Sequence, residues 1–207
     1  MARIIQSPQN NPDKHYVYNK VFSKEDIKKI ISMCNSLPQH VGSVGTGSKE
    51  TTLEDGGGIR TSIVKWIPET EKSNWIYQKI IDLGIKANNA EWQFDLVASL
   101  ELIQYTEYHA SEKGHYDWHL DLGVGDQQCK RKVSITIQLS DSNDYEGGDL
   151  LICKGGRGTG NLDNYDMCPR DQGLGVVFPS YLLHRVTPVT KGIRKSLVLW
   201  IGGSKFR

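Results

Sequence analysis

The sequence has no apolar run approaching the length of a membrane span, and residues 1–14 lack the apolar core of an export signal. A cytoplasmic protein without a membrane partner is the expectation. Charge of one sign is missing too: 25 Lys and Arg stand against 24 Asp and Glu, so no global field draws the chain toward nucleic acid. No nucleic-acid partner is expected. Cysteine is sparse, and Cys34, Cys129, Cys153 and Cys168 are too far apart for a CxxC metal knuckle; without export they are expected to stay reduced. We assign them no chemistry. Internal repeats and obvious linkers are absent as well, and 207 residues suffice for one domain with a substantial core. The expected organisation is a flexible arm over residues 1–15, which holds Pro8 and Pro12, followed by a single domain over 16–207.

What is present falls into two parts. Val17 to Phe22 reads as a short strand, and Ser23-Lys-Glu-Asp26 after it as a capping box, with Phe22 and Ile27 placed for a hydrophobic staple. Ile27, Ile30, Ile31 and Cys34 follow at helical spacing, as do Ile76, Ile80, Leu83 and Ala87 within Ser73 to Ala87, where Gly84 weakens the last turn. Two amphipathic helices are predicted. Between them, Val41 to Gly58 is rich in Gly, Ser and Thr without apolar periodicity, the composition of a lid, and Arg60 to Ile67 alternates as one strand.

After Trp92 the period becomes two. Leu96, Ala98, Leu100 and Leu102 share a face, and the same parity carries Gln104, Thr106 and Tyr108. Val133 to Leu139, Asp149 to Cys153, Leu174 to Phe178, His184 to Val189 and Ser196 to Ile201 are further short strands between turn residues. The fold class is therefore mainly β with flanking helices (α+β), a barrel or two-sheet jelly roll with both helices covering one sheet. Gly155 to Gly160 could suggest a phosphate cradle, but no helical pattern follows it, so it reads as a loop.

The chemistry concentrates between Tyr105 and Asp121. His119-Leu-Asp121 can direct an imidazole and a carboxylate to one face of an extended strand, and His184 is the natural third ligand. Two histidines and a carboxylate with open positions opposite them form the facial triad of non-haem Fe(II) oxygenases. His115-Tyr-Asp117 is a competing pair of the same spacing. A turn at Lys191-Gly192 would bring Arg194 back beside His184, where a buried guanidinium could bind a carboxylate through two hydrogen bonds.

His119-x-Asp121, Tyr145-Glu-Gly147-Gly148-Asp-Leu150 and His184 with Arg194 ten residues on together resemble the Fe(II)- and 2-oxoglutarate-dependent dioxygenases, in the prolyl-4-hydroxylase-like branch of bacterial and phage type. The resemblance runs from about 96 to 203 and implies a double-stranded β-helix core there; Arg60-x-Ser62 and Trp66 resemble the same branch less specifically. Tyr116-Asp-Trp-His119-Leu-Asp121 matches the family's Tyr-x-x-His-x-Asp and selects the second pair. By this resemblance His119, Asp121 and His184 are the catalytic metal ligands, and Arg194 holds the distal carboxylate of 2-oxoglutarate. Tyr108, preferred to Tyr105 by parity, Gln138 and Ser196 are further cosubstrate contacts. Trp118 and Trp200 are candidate walls, and Gly147 and Gly148 allow close backbone approach.

Implied with these residues are Fe(II), 2-oxoglutarate and O2, ascorbate as an optional auxiliary, and release of succinate and CO2 as a C–H bond is hydroxylated. The branch points to a protein or peptide substrate, peptidyl proline first. Two other functions compete. Oxidation of a nucleobase would want a basic groove, for which Lys130-Arg131-Lys132 is the only tight cluster, better explained as a solvated strand end. A non-catalytic jelly-roll binding module would need neither a complete ligand set nor Arg194.

Overall fold

The computed structural model describes residues 13–42, 58–99, 101–123, 128–154 and 164–204. The lid stretch therefore lies outside the described residues except at its ends, as do most of the N-terminal arm, Leu100 and the Gly155 to Gly160 loop.

Along the chain run β1 (Tyr16–Tyr18), α1 (Lys24–Asn35), β2 (His40–Val41), β3 (Arg60–Thr61), β4 (Ile63–Ile67), α2 (Asn74–Ala87), β5 (Leu96–Ser99), β6 (Ile103–His109) and β7 (His115–His119). Then come β8 (Arg131–Gln138), β9 (Tyr145–Gly147), β10 (Leu150–Cys153), β11 (Tyr165–Met167), β12 (Gly175–Pro179), β13 (His184–Val186) and β14 (Val189–Gly203). Among the described residues these strands build two sheets. One follows the order β1-β12-β8-β14-β6-β4-β2, with β5 and β9 also on β14; the other is β11-β10-β13-β7-β3. The two face each other as a jelly roll.

Central strands of the larger sheet are covered on both sides, which explains their near-continuous apolar sequence. Val133, Ile135 and Ile137 of β8 and Leu197, Leu199 and Ile201 of β14 pack on Ile27, Ile30 and Cys34 of α1 and Ile76 and Ile80 of α2. Alternate residues point the other way, where Tyr108, Val176 and Phe178 meet Leu150, Ile152 and Val186 of the smaller sheet. The capping box forms as read: Ser23 Oγ accepts from Asp26 N at 3.1 Å, and Asp26 Oδ2 accepts from Ser23 N at 3.2 Å.

Several expectations are corrected. Val17 to Phe22 is strand only in its first residues, because β1 ends at Tyr18. Arg60 to Ile67 is not one strand: β3 pairs with β7 in the smaller sheet and β4 with β6 in the larger, so the chain changes sheet at Ser62. The Leu96 parity does not continue into β6 either, since Leu102 is exposed while Ile103 and Tyr105 fill the helix-side core. Gly84 has a packing reason as well: a Cβ there would lie 2.4 Å from Ile201 Cδ1, so the missing side chain lets the helix settle on the sheet. The chain does not reverse at Lys191-Gly192. The strand begun at His184 ends at Val186, β14 runs unbroken from Val189, and Gly192, with φ of 70°, lets it pass the Asp144 carbonyl.

Candidate metal centre

The side chains of His119, Asp121 and His184 come together between the sheets, each offering a ligand atom, with all of these atoms within 4.8 Å of one another. A local irregularity in β7 aims the first of them. His119 pairs with His184 but Tyr116, three residues earlier, pairs with Val186, only two residues on, so β7 carries a bulge between them. The extra residue breaks the alternation and turns Tyr116 and His119 to the same side. His115 and Asp117 are thereby separated from the cluster: both ring nitrogens of His115 sit against backbone carbonyls, of Lys113 and Gly58, and the Asp117 side chain is 57% exposed.

The tautomers follow from the neighbours. His119 Nδ1 lies 2.7 Å from the Asp117 carbonyl and His184 Nδ1 2.9 Å from that of Leu182, and a carbonyl can only accept, so both rings carry their proton on Nδ1. Their Nε2 atoms face Asp121, at 3.8 Å from Oδ1 and 3.6 Å from Oδ2, too far for hydrogen bonds. Ser134 Oγ donates to Asp121 Oδ2 at 2.6 Å and holds the carboxylate in place. Burial and the facing His184 push the His119 imidazole down to about 3, so it stays neutral. Burial alone would raise the Asp121 carboxyl, but His184, His119, Ser134 and Arg131 outweigh it and keep the group below its ordinary value. With both imidazoles in the neutral form that a metal ligand requires, the set offers three Lewis bases and one negative charge to a divalent cation, and two histidines with one carboxylate fit Fe(II). Tyr116 stacks on His119 at 3.3 Å between centroids, and Phe178 meets His184 edge-on at 4.7 Å.

From the triad a cavity of about 680 Å³ extends inward to Arg194. Arg194 is 4% exposed, lies 5.5 Å above the Tyr108 ring, and is 3.4 Å from Ser196 Oγ; among the described residues no carboxylate pairs with it. It reaches this place from the larger sheet, paired in register with Tyr108, whereas His184 stands on the smaller one. Tyr108 lines the cavity, while Tyr105 points to the opposite face and donates to Glu107 Oε1 at 2.7 Å. Gly148 is needed here, because a Cβ would lie 2.9 Å from Arg194 Cδ.

Gln138 lies in a small recess of about 10 Å³ that shares Arg194 with the main cavity. Its Nε2 donates to the Tyr145 hydroxyl at 2.9 Å and reaches the Ser140 carbonyl at 3.3 Å, which fixes the amide orientation. Arg170 Nε donates to the same hydroxyl at 3.2 Å. With both lone pairs of its oxygen so engaged, Tyr145 has its own O–H proton left to give toward the recess. The sequence carried no signal for this beyond the Tyr145-Glu-Gly-Gly motif.

Two further corrections concern the walls. Trp200 lines the cavity, but Trp118 lies outside it, near Tyr165 and beneath Arg185. Lys130-Arg131-Lys132 is not a solvated strand end: Lys132 is buried, and Arg131 ion-pairs with Glu101, stacks 3.8 Å from the Trp200 ring and donates to the Asp121 carbonyl at 3.1 Å.

Comparison with known proteins agrees with this geometry. Residues 103–202 match the model of the 2OG-Fe(II) oxygenase superfamily. A PKHD-type hydroxylase of Colwellia psychrerythraea is 36% identical over 181 residues, 82% of this chain and 78% of that protein. Matches to two other PKHD-type hydroxylases are shorter, spanning 39% and 45% of their lengths. Among solved structures, a Pseudomonas putida prolyl-4-hydroxylase superposes with a TM-score of 0.65 at 20% identity, over 91% of this chain and 92% of its own. A prolyl hydroxylase from Trichoplax adhaerens, in complex with a hypoxia inducible factor peptide fragment, gives 0.71 at 15% identity, over 92% and 84%. These two likenesses speak to the fold; the identity to the Colwellia hydroxylase settles kinship, and the chain belongs to the 2OG-Fe(II) oxygenases, dioxygenases that use Fe(II) and 2-oxoglutarate, together with the PKHD-type hydroxylases.

Proposed function

We propose that this dioxygenase hydroxylates an unactivated C–H bond of a peptidyl substrate, proline first, converting 2-oxoglutarate and O2 to succinate and CO2 as it does so. The observation that carries the proposal is one cavity with three converging Lewis bases at one end, two of them buried, and an acid-seeking guanidinium at the other. His119, Asp121 and His184 would hold Fe(II), which when bound supplies the oxidising chemistry that no side chain can. Arg194 would hold the distal carboxylate of 2-oxoglutarate, with Tyr108 beneath its guanidinium and Ser196 beside it. Trp200 and Phe178 keep water from the reacting end. Trp66 and Leu120 give the cavity a partly exposed apolar rim, suited to a chain laid across it, and the peptide bound to the Trichoplax enzyme supports the same substrate class. A nucleobase substrate loses its one supporting motif, since Arg131 is pinned and Lys132 buried.

The test is to supply Fe(II), 2-oxoglutarate and O2 with prolyl peptides, other peptides and free amino acids, and to follow succinate together with oxygen added to the substrate. Coupled formation of both on a prolyl peptide is expected. Succinate that no peptide accelerates, with coupled oxidation of a nucleobase instead, would replace the proposal.

Tyr145 belongs to the same cosubstrate site by this account. Tyr145→Phe removes the O–H donor together with the acceptor of Gln138 and Arg170, and a hydrogen bond to a charged group is worth about 1.5–3 kcal/mol. The half-saturation for 2-oxoglutarate should therefore rise by roughly ten- to a hundred-fold, with Fe(II) affinity kept. Calorimetric titration of the two ligands separates these outcomes, and an unchanged 2-oxoglutarate affinity would show the hydroxyl to be structural only.

A further inference from the structure

Among the charged side chains that line the cavity in the described residues, Arg60 alone is left without compensation once the site is filled. Arg131 is paired with Glu101. The single negative charge of the triad, the two positive charges of iron, the two negative charges of 2-oxoglutarate and the guanidinium of Arg194 cancel. Arg60 remains, with nine-tenths of its surface buried. Its Nε donates to Ser62 Oγ at 2.8 Å, and one terminal nitrogen is buried with no partner. No carboxylate pairs with it among the described residues, and a buried charge without a counter-ion is strongly unfavourable.

The guanidinium lies 4.7 Å from the centre of the Tyr116 ring, whose other face is against His119. Stacking of this kind uses the face of the guanidinium and leaves its in-plane N–H donors to hydrogen-bond independently. A role confined to propping Tyr116 therefore leaves those donors unexplained. We propose that Arg60 binds an anionic group of the substrate, a carboxylate on the same molecule as the C–H bond to be hydroxylated. In a peptide this is an acidic side chain, or a terminal carboxylate, close to the target residue. The proposal rests on the assignment of iron and 2-oxoglutarate to the triad and Arg194, because the uncompensated charge is counted in that loaded state.

Two measurements test it. In protein loaded with redox-inert Zn(II) and 2-oxoglutarate, the Nε–H resonance of Arg60, identified by its loss in Arg60→Gln, is followed while acetate or acetamide is added. Acetate should move it saturably and acetamide should not; a resonance indifferent to acetate overturns the proposal. In the Fe(II) enzyme, acetyl-Ala-Pro-Glu-amide and acetyl-Ala-Pro-Gln-amide are compared as substrates. The acidic peptide should have a KM lower by about ten-fold or more, a ratio that falls to near one in Arg60→Gln and stays intermediate in Arg60→Lys. The ratio within each variant cancels any general loss of folding or activity, and the same ratio in all three proteins overturns the proposal. If neither peptide is hydroxylated, the prolyl assignment fails while the acetate titration still decides the role of Arg60. If Zn(II) or 2-oxoglutarate does not bind, the loaded-site assignment fails, and the charge count on which the proposal stands falls with it.

Discussion

His119→Ala, Asp121→Ala and His184→Ala are each expected to lose tight Fe(II) binding and all coupled turnover, while His115→Ala and Asp117→Ala keep both. Removing even a supporting hydrogen bond to a metal ligand costs about 10–100-fold in affinity or activity, so removing a ligand itself should exceed roughly a hundred-fold. The two spared residues share the HxD spacing but not the place. His115 is engaged at both nitrogens by backbone carbonyls, and Asp117 contributes to the centre only its main-chain carbonyl, which orients His119 and survives the change to alanine. Titration of the apoproteins with Fe(II) under anaerobic conditions, followed by succinate assay, reads both quantities. Loss of iron in His115→Ala with retention in His119→Ala would invert the assignment.

The second large effect is at Arg194. Arg194→Ala should raise the half-saturation for 2-oxoglutarate by a factor of tens to thousands, because losing one member of a buried, hydrogen-bonded charge pair costs about 2–5 kcal/mol. Iron affinity should change little, since Arg194 stands at the other end of the cavity and makes no bond to the triad. Arg194→Lys keeps the charge but loses the planar fork, and its half-saturation should lie between the two. Equal affinity for 2-oxoglutarate in wild type and Arg194→Ala would assign the carboxylate to another group.

What could be read from the residues, and what could not, divides along a physical line. The capping box at Ser23 and the two helices are local patterns and appear where spacing placed them, and the strands after Trp92 do so in kind, though β13 ends at Val186 and β14 begins at Val189. The ligand set was legible because it sits in short motifs with a fixed order. Features that depend on two distant backbones meeting were not. The bulge in β7 exists only against β13, and without it strand alternation treats His115, Asp117 and His119 alike. The change of sheet at Ser62 leaves an uninterrupted alternating sequence, yet it is what carries Arg60 to the triad and Trp66 to the rim. Gly192 looks like a hairpin turn by composition; its φ of 70° instead lets β14 pass the Asp144 carbonyl. Parity did choose Tyr108 over Tyr105, although the leucine run that suggested it does not continue as a buried face.

The central position of β14 bears on how the protein is made. It lies between β8 and β6, so without it the larger sheet is two separate pieces, β1-β12-β8 and β6-β4-β2. It is also the latest of these strands to be synthesised. Each earlier piece must wait with an open edge on the side that β14 will fill, a state prone to pairing with other chains, and its pairings with strands far back in the sequence close slowly. Arg194 and Ser196 enter on that same strand, and by pairing β6 they set Tyr108 opposite Arg194. The step that joins the two halves of the sheet is thus the step that brings Arg194 and Ser196 into the wall of the cavity, and a nascent chain stopped short of it has neither.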